Sequence, residues 1–327
     1  MRRLIGFMVV LALAFGGLAV WWVNQALTLA APSLDLSVEP GTAPRTVAQD
    51  TVASGVQTSP TLLYWWFRLS GQARLIKAGS YELETGLTPR TLLAKLTRGE
   101  EALRSVTLVE GWTFKQVRDA LSKAEHLSPD TKGLEANLIM NNLGKPERRP
   151  EGRFYPDTYT YAKGSSDVKV LQRAMRAMDH HLAEAWALRA ANSPLKTQDE
   201  LLTLASIIEK ETGRASDRPM IASVFANRLR VGMMLQTDPT VIYGLGEKFD
   251  GNLRRRDLLA DTPWNTYTRA GLPPTPIAMP GKASLLAAAQ PASSNALYFV
   301  ARGDGTSQFS DNLDAHNRAV NKFQRGQ

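Results

Sequence analysis

The sequence predicts an α+β fold in three parts: an N-terminal transmembrane helix (residues 1–25), a small α+β domain (26–105) and a larger, mainly helical, loop-rich domain (106–327). Three patterns lead to this reading. An uncharged run over residues 4–23 follows Arg2 and Arg3. Short strand-like runs then alternate with helices up to residue 105, and from 168 to 230 long segments carry the 3.6-residue period of a helix.

About 20 apolar residues at 1.5 Å each cross the hydrocarbon layer of a bilayer. A cleaved signal peptide usually has an apolar stretch of only about 7–15 residues, so the first run reads as an uncleaved anchor. Trp21 and Trp22 stand where an interfacial aromatic belt belongs, and Arg2 and Arg3 mark the cytoplasmic end. Everything after residue 25 is therefore expected outside the cytoplasm.

In the small domain, residues 34–38 read as a strand and Glu39, Pro40, Gly41 and Thr42 as a turn. Residues 59–69 are apolar and aromatic with helical spacing, and 76–82 read as a second strand. Thr88 as N-cap and Pro89 in the first turn open a helix to about residue 98. Residues 105–110 form a further strand and 113–124 a further helix, so two strand-to-helix units of similar length follow each other. The polar stretch 127–153 reads as a surface segment. Beyond it, residues 168–188, 200–211 and 218–230 read as helices, and the remainder is expected to be loops with a short strand at 297–300 and a polar tail.

With 43% hydrophobic residues in a chain of 327, a sizeable core can form. The absence of cysteine removes disulfides, thiolate metal sites and cysteine nucleophiles together. Thirty-nine Lys and Arg against thirty-one Asp and Glu leave a net charge of +8, which favours an anionic partner such as nucleic acid, lipid headgroups or cell wall. Nucleic acid is set aside: the bulk is placed outside the cytoplasm, and no zinc-finger spacing, glycine-rich phosphate loop or basic stripe occurs. Arg254, Arg255 and Arg256 read as a solvated loop.

The helix over 199–212 ends in Glu209, Lys210, Glu211 and Thr212, with Gly213 expected just past its C-terminus. Two carboxyl groups thus fall in the last turn, where the helix dipole and any burial favour the protonated form, as a proton donor requires. Both flank the apolar stripe of Leu201, Leu204, Ala205 and Ile208, and helical phase does not choose between them. The bland alternative is a solvated pair of glutamates. His180 and His181 have no metal-spaced partner and read as a solvated face.

The chain resembles the YceG-like endolytic murein transglycosylases, the MltG family, over nearly its whole length. The matching segments are Glu151-Gly-Arg-Phe-Tyr-Pro-Asp-Thr-Tyr159, Leu204-Ala-Ser-Ile-Ile-Glu-Lys-Glu-Thr212, Ala222-Ser-Val-Phe-Ala-Asn-Arg-Leu229 and Leu235-Gln-Thr-Asp-Pro-Thr-Val-Ile-Tyr-Gly244. Trp264-Asn-Thr-Tyr-Thr268, Gly271-Leu-Pro-Pro274, Leu297-Tyr-Phe-Val300 and His316-Asn317 extend the likeness. Thr275, Met279 and Gln308 stand where glycine, asparagine and histidine are common in the family. The resemblance implies that the small domain is LysM-like, that 106–327 is the catalytic domain, and that Glu211, the second glutamate of the Glu-Lys-Glu motif, is the essential acid.

The same resemblance implies cleavage of peptidoglycan glycan strands between N-acetylmuramic acid and N-acetylglucosamine with a 1,6-anhydro product. The expected setting is the periplasmic face of the inner membrane, on nascent strands, so that cutting terminates elongation. Peptidoglycan synthases (penicillin-binding proteins) are the implied protein partners. No metal or cofactor is required, because one carboxyl group can act first as acid and then as base toward the sugar's own C6 hydroxyl. Gln236, Asp238, Tyr243, Asn265 and Tyr267 supply the amide, hydroxyl and aromatic groups expected to bind the sugar, and Tyr155, Asp157 and Tyr159 read more readily as structural. Two other readings compete. One is a glycan-binding scaffold without catalysis, which the presence of Glu211 disfavours. The other is a hydrolase pairing Glu211 with Asp238 or Glu151, which product mass would separate.

Overall fold

The computed structural model describes residues 2–325. The chain divides into two compact units, Met1–Arg104 with Thr160–Ser165, and Ser105–Tyr159 with Ser166–Gln327.

The first unit opens with α1 (Arg2–Val23), whose stretch Gly6–Val23 is long and apolar enough to cross a membrane. Phe7, Leu13, Phe15, Leu18 and Trp21 on it are exposed. There follow β1 (Thr28–Leu29), β2 (Ser33–Val38), α2 (Pro44–Ala53), β3 (Val56–Gln57), α3 (Pro60–Leu69), β4 (Gly79–Glu84) and α4 (Pro89–Arg98). β1 pairs with β3 and β2 with β4, both antiparallel, the latter from Ser33 opposite Glu84 to Val38 opposite Gly79. Alternation sets the inner face: Leu36, Val38, Tyr81 and Leu83 are buried, while Asp35, Ser37 and Glu84 are exposed. Leu63 and Phe67 of α3 and Leu92, Leu93 and Leu96 of α4 close this core. Proline in the first turn opens all three helices after α1. The Thr88 hydroxyl caps α4 by accepting the Thr91 N–H at 3.1 Å, and Gly99 ends it in the left-handed region at φ 74°. α2 was not anticipated, because its apolar residues Val47, Ala48 and Val52 are too few among polar neighbours to show a stripe.

Next come β5 (Leu103–Thr107), α5 (Phe114–Lys123), α6 (Ala136–Asn142), β6 (Thr158–Ala162), α7 (Asp167–Ala187), α8 (Gln198–Glu211), α9 (Arg218–Arg230), α10 (Asp238–Leu245), α11 (Arg255–Leu259), α12 (Lys282–Ala289), β7 (Tyr298–Ala301), β8 (Ser307–Ser310) and α13 (Leu313–Gln324). β5 pairs with β6 and β7 with β8. α8 is the axis of the second unit, packed by α7, α9, α10 and α12. Every residue of it from Leu201 to Ile208 is buried. A helix apolar on one stripe was expected, but this one is covered on every side through Ile208.

Two segments depart from the sequence reading. Residues 127–153, read as polar surface, contain α6 with Ile139 and Met140 fully buried, and Arg118 is tied to the Thr131 and Leu134 carbonyls. The expected loops and polar tail also contain α10, α11, α12 and α13. In α12 the run of alanines gives little contrast between faces; α13 does carry Leu313, Val320 and Phe323 on one face, but among many polar residues.

Candidate active site

α8 begins at Thr197, whose hydroxyl accepts the Glu200 N–H at 3.1 Å, with Asp199 and Glu200 in the first turn complementing the dipole. It stops at Glu211, because Thr212 takes an extended backbone (φ −146°, ψ 133°) and its hydroxyl accepts the Arg214 N–H at 3.0 Å. Gly213 is not in the left-handed conformation expected of it, since Thr212 has already broken the helix.

The two glutamates of the last turn have different surroundings. Glu209 Oε1 lies 3.0 Å from Arg218 Nη2 of α9, its Oε2 accepts the Gly281 N–H at 2.9 Å, and its side chain is only 5% exposed. Both oxygens are engaged in holding α8 to α9 and to the start of α12. Glu211 makes no salt bridge among the described residues, and its Oε1 accepts the hydroxyl of Thr237. Burial pushes its carboxyl above the ordinary value, the Thr237 bond opposes this, the Asp238 charge raises it further and the Arg228 charge lowers it. A carboxyl that is desolvated, unpaired and bonded to a neutral hydroxyl is suited to give and take a proton.

The segment after α9 presents the remaining groups. Gln236 is exposed and held at φ 49°, in the left-handed region that favours glycine, with its N–H bonded to the Thr266 carbonyl at 3.0 Å. Asp238 is exposed and accepts the Tyr267 hydroxyl at 2.6 Å. Burial raises the Tyr267 hydroxyl, and the Asp238 and Glu211 charges add to it. The structure therefore brings Glu211, Thr237, Asp238 and Tyr267 together. Asn265 is different: it is fully buried, its amide donates to the carbonyls of Leu258 and Ala260 at 3.0 and 2.7 Å, and its oxygen accepts the Tyr267 N–H. No part of it is open to a sugar, so it shapes the loop that carries Tyr267.

Tyr243 belongs to a separate network. Its hydroxyl donates to Glu151 Oε2 at 3.0 Å and its ring meets Trp264 edge-on at 5.6 Å. Glu151 is 7% exposed and also accepts the Phe114 N–H at 2.9 Å; burial pushes its carboxyl up to about 7. Its two oxygens are thus engaged away from Glu211. Phe114, Arg118, Arg149, Glu151, Tyr243 and Trp264 help line a cavity of about 870 Å³ whose lining does not include Glu211. The Tyr155 ring lies tilted against His181 with centroids 4.1 Å apart, and its carbonyl accepts the Tyr159 hydroxyl, while His180 and His181 each lie 3.2 Å from Glu184. Among the described residues no three His, Asp or Glu gather as a metal would need.

Two residues of the site went unselected in the sequence. Thr237 stood between the more conspicuous Gln236 and Asp238, and nothing local marked it as the partner of Glu211. Arg228 is buried in α9, and its guanidinium donates to the Leu297 and Leu235 carbonyls at 2.7 Å each, which anchors β7 and the chain leading to Thr237. Its place beside Phe225, Ala226 and Leu229 on a largely buried helix was the available signal.

A sequence model of the YceG-like family matches residues 36–322. A protein of Bacillus subtilis (strain 168) described as an endolytic murein transglycosylase is 30% identical over 308 residues, covering 89% of this chain and 85% of that protein. One of Streptococcus pneumoniae with the same description is 28% identical over 278 residues, and the match covers 75% of this chain and half of that longer protein. Among solved structures, a YceG-like protein of Listeria monocytogenes aligns with a TM-score of 0.55 at 29% identity, over 88% of this chain and 98% of the other.

Proposed function

The chain belongs to the YceG-like family, and from that premise we propose that it cuts peptidoglycan glycan strands endolytically with Glu211 as the single proton-transfer group. It is a lytic transglycosylase, as its relatives are described. The observation that carries the assignment of the acid is the contrast at the end of α8. Glu209 is held by Arg218 and the Gly281 N–H, and Glu211 is raised by burial beside a hydroxyl.

Glu211, protonated, gives its proton to the oxygen leaving C1 of N-acetylmuramic acid as that bond breaks. The resulting carboxylate takes the proton of the same sugar's C6 hydroxyl as that oxygen closes on C1. The product is a 1,6-anhydro sugar and Glu211 is again protonated. Asp238, oriented by Tyr267, lies beside the acid and can offset positive charge at C1, while exposed Gln236 offers its amide to the strand. Tyr243 packs with Trp264 further along α10 as an aromatic wall. α1 anchors the chain in the inner membrane, the bulk lies on the periplasmic side, and the first unit acts as a LysM-like glycan-holding domain. Cutting there ends elongation of nascent strands beside the synthases.

Asp238 beside Glu211 also supports a two-carboxylate hydrolase. Mass spectrometry of muropeptides decides between them, since hydrolysis adds a water that intramolecular closure does not. Glu211→Gln keeps shape and removes the transferable proton, and is expected to lower cleavage by about 10²–10⁴-fold. Anhydro products formed at near the parent rate by purified Glu211→Gln would overturn the assignment.

A further inference from the structure

α3 has two faces of opposite use. Leu63 and Phe67 point into the core, fully buried, whereas Leu62, Trp65 and Leu69, spaced three and four residues apart along one stripe, are 51%, 49% and 78% exposed. Leu75 in the turn that follows is 60% exposed. A soluble surface scatters such residues singly; a contiguous row on one helix marks an interaction site. Charge is biased around it: from Thr51 to Tyr81 the chain carries Arg68, Arg74 and Lys77 and no Asp or Glu, and all three cations are exposed. Lys77 donates to the Arg98 carbonyl at 3.1 Å and Arg68 to the Tyr64 hydroxyl at 3.1 Å, so neither is neutralised by an acid.

The position of this face is tied to the end of α1. Trp22 packs on the core of the first unit, Val23 is buried, and the Leu27 N–H donates to the Leu87 carbonyl at 2.7 Å. Two residues on, the Pro89 carbonyl accepts the indole N–H of Trp66 at 2.9 Å. The chain leaving the apolar helix and the middle of α3 are therefore fastened to the same short stretch, 87–89, with Trp65 adjacent to the bonded Trp66.

We infer that α3 is an interfacial helix that lies on the bilayer surface, with Leu62, Trp65, Leu69 and Leu75 in the headgroup and acyl boundary and Arg68, Arg74 and Lys77 against anionic lipid headgroups. The inference rests on the reading of α1 as a membrane anchor. An apolar row with tryptophan, flanked by cations and free of acids, is the composition that binds such a boundary. A chain held by α1 has a lipid surface next to this face at all times, so the attachment is intramolecular once α1 is inserted. Two attachments, one spanning and one lying flat, fix the tilt of the first unit where one would leave it free to swing.

The chain has no cysteine, so a single introduced one reports cleanly. Full-length Leu69→Cys, spin-labelled and reconstituted in phosphatidylglycerol/phosphatidylethanolamine vesicles, is expected to be accessible to oxygen and shielded from a water-soluble nickel relaxant. A label at Leu188→Cys, on a leucine of the second unit that is less exposed than Leu69, serves as the aqueous reference. Shielding at 69 should weaken in vesicles of phosphatidylcholine alone and in high salt. Nickel access at 69 in anionic vesicles equal to that at 188 overturns the inference. So does dipolar broadening between labels at 69 that disappears when labelled protein is diluted with unlabelled protein, which would mean that a second copy covers the face. Alkaline carbonate extraction reads the anchor separately: a protein that stays in the pellet with 69 in water loses the interfacial helix and keeps the anchor. A protein that washes off loses the anchor, and its label mixed with vesicles still decides the helix.

Discussion

Glu209 and Glu211 are two residues apart, yet one is a strut and the other a proton carrier, and neutralising each should fail in a different assay. Glu209→Gln leaves the Arg218 guanidinium, with a side chain only 11% exposed, without its counter-charge. Breaking one side of a buried pair costs about 3–5 kcal/mol, so this variant should show a lower denaturation midpoint while the folded fraction keeps its turnover. Glu211→Gln should do the reverse, since Glu211 makes no salt bridge among the described residues and its burial already favours the uncharged form. Denaturant titration alongside muropeptide release separates the two, and a Glu209→Gln variant that is stable but inactive would exchange their roles. Helical phase had placed both at the helix end and only the family resemblance told them apart, because their partners Arg218, Gly281 and Thr237 lie 9, 72 and 26 positions away in the chain. Glu151 adds a pH dependence of stability. Its folded value of about 7 exceeds the ordinary 4.5, so the folded chain holds a proton there that the unfolded chain has released. The stabilisation is complete below the unfolded value and is lost as pH rises through about 7, a range of about 3 kcal/mol. Relative to Glu151→Gln, the parent should therefore lose stability between about pH 5 and about pH 8, measured by denaturation at each pH. Parallel curves for the two proteins would refute this.

At the scale of elements, the helices legible in the sequence were those with a cap or a long period. The 218–230 helix coincides with α9, and Thr88 and Thr113 cap α4 and α5 as their positions suggested for the first and allowed for the second. Short helices such as α10 and α12 escaped because each is buried through its neighbours and not through a stripe of its own. Tertiary contacts likewise decide the strength of the loop after the Gly271 turn. The Ile277 N–H donates at 3.0 Å to Ser206 Oγ, and that hydroxyl donates at 2.7 Å to the Thr203 carbonyl inside α8. Ser206 is fully buried, so no water can replace it. Ser206→Ala should cost about 1–3 kcal/mol by stranding the Ile277 N–H. Amide exchange is the direct check, because Ile277 should exchange faster than the core amides of α8. Unchanged protection at Ile277 would show that the hydroxyl does not hold the loop.

For the whole molecule, the composition narrowed the setting before any site was known: an apolar first helix and a basic balance suggested a membrane and an anionic partner, while the absence of cysteine removed thiol chemistry and left the compartment open. The sequence did not reveal that the first helix also completes a folded unit. Trp22 near its end packs against the core closed by Leu92 and Leu96, Val23 is buried, Leu27 just after belongs to that core, and β1 pairs with β3 through Leu29 opposite Val56. The apolar helix and the domain are therefore mechanically continuous, and truncations on either side of this junction should differ. A chain lacking residues 2–20 removes the exposed apolar stretch and keeps Trp22, Val23 and Leu27. It should leave the carbonate-resistant fraction, stay folded and release muropeptides from isolated wall. A chain lacking residues 2–29 also removes buried Val23 and Leu27 and the β1 pairing, at a cost of about 3–5 kcal/mol for the apolar burial alone. Hydrogen exchange at Leu92, Leu93 and Leu96 reads the difference, with strong protection in the shorter truncation and much weaker protection in the longer one. Equal protection in both would mean that α1 is only a tether, joined to a unit that is complete without it.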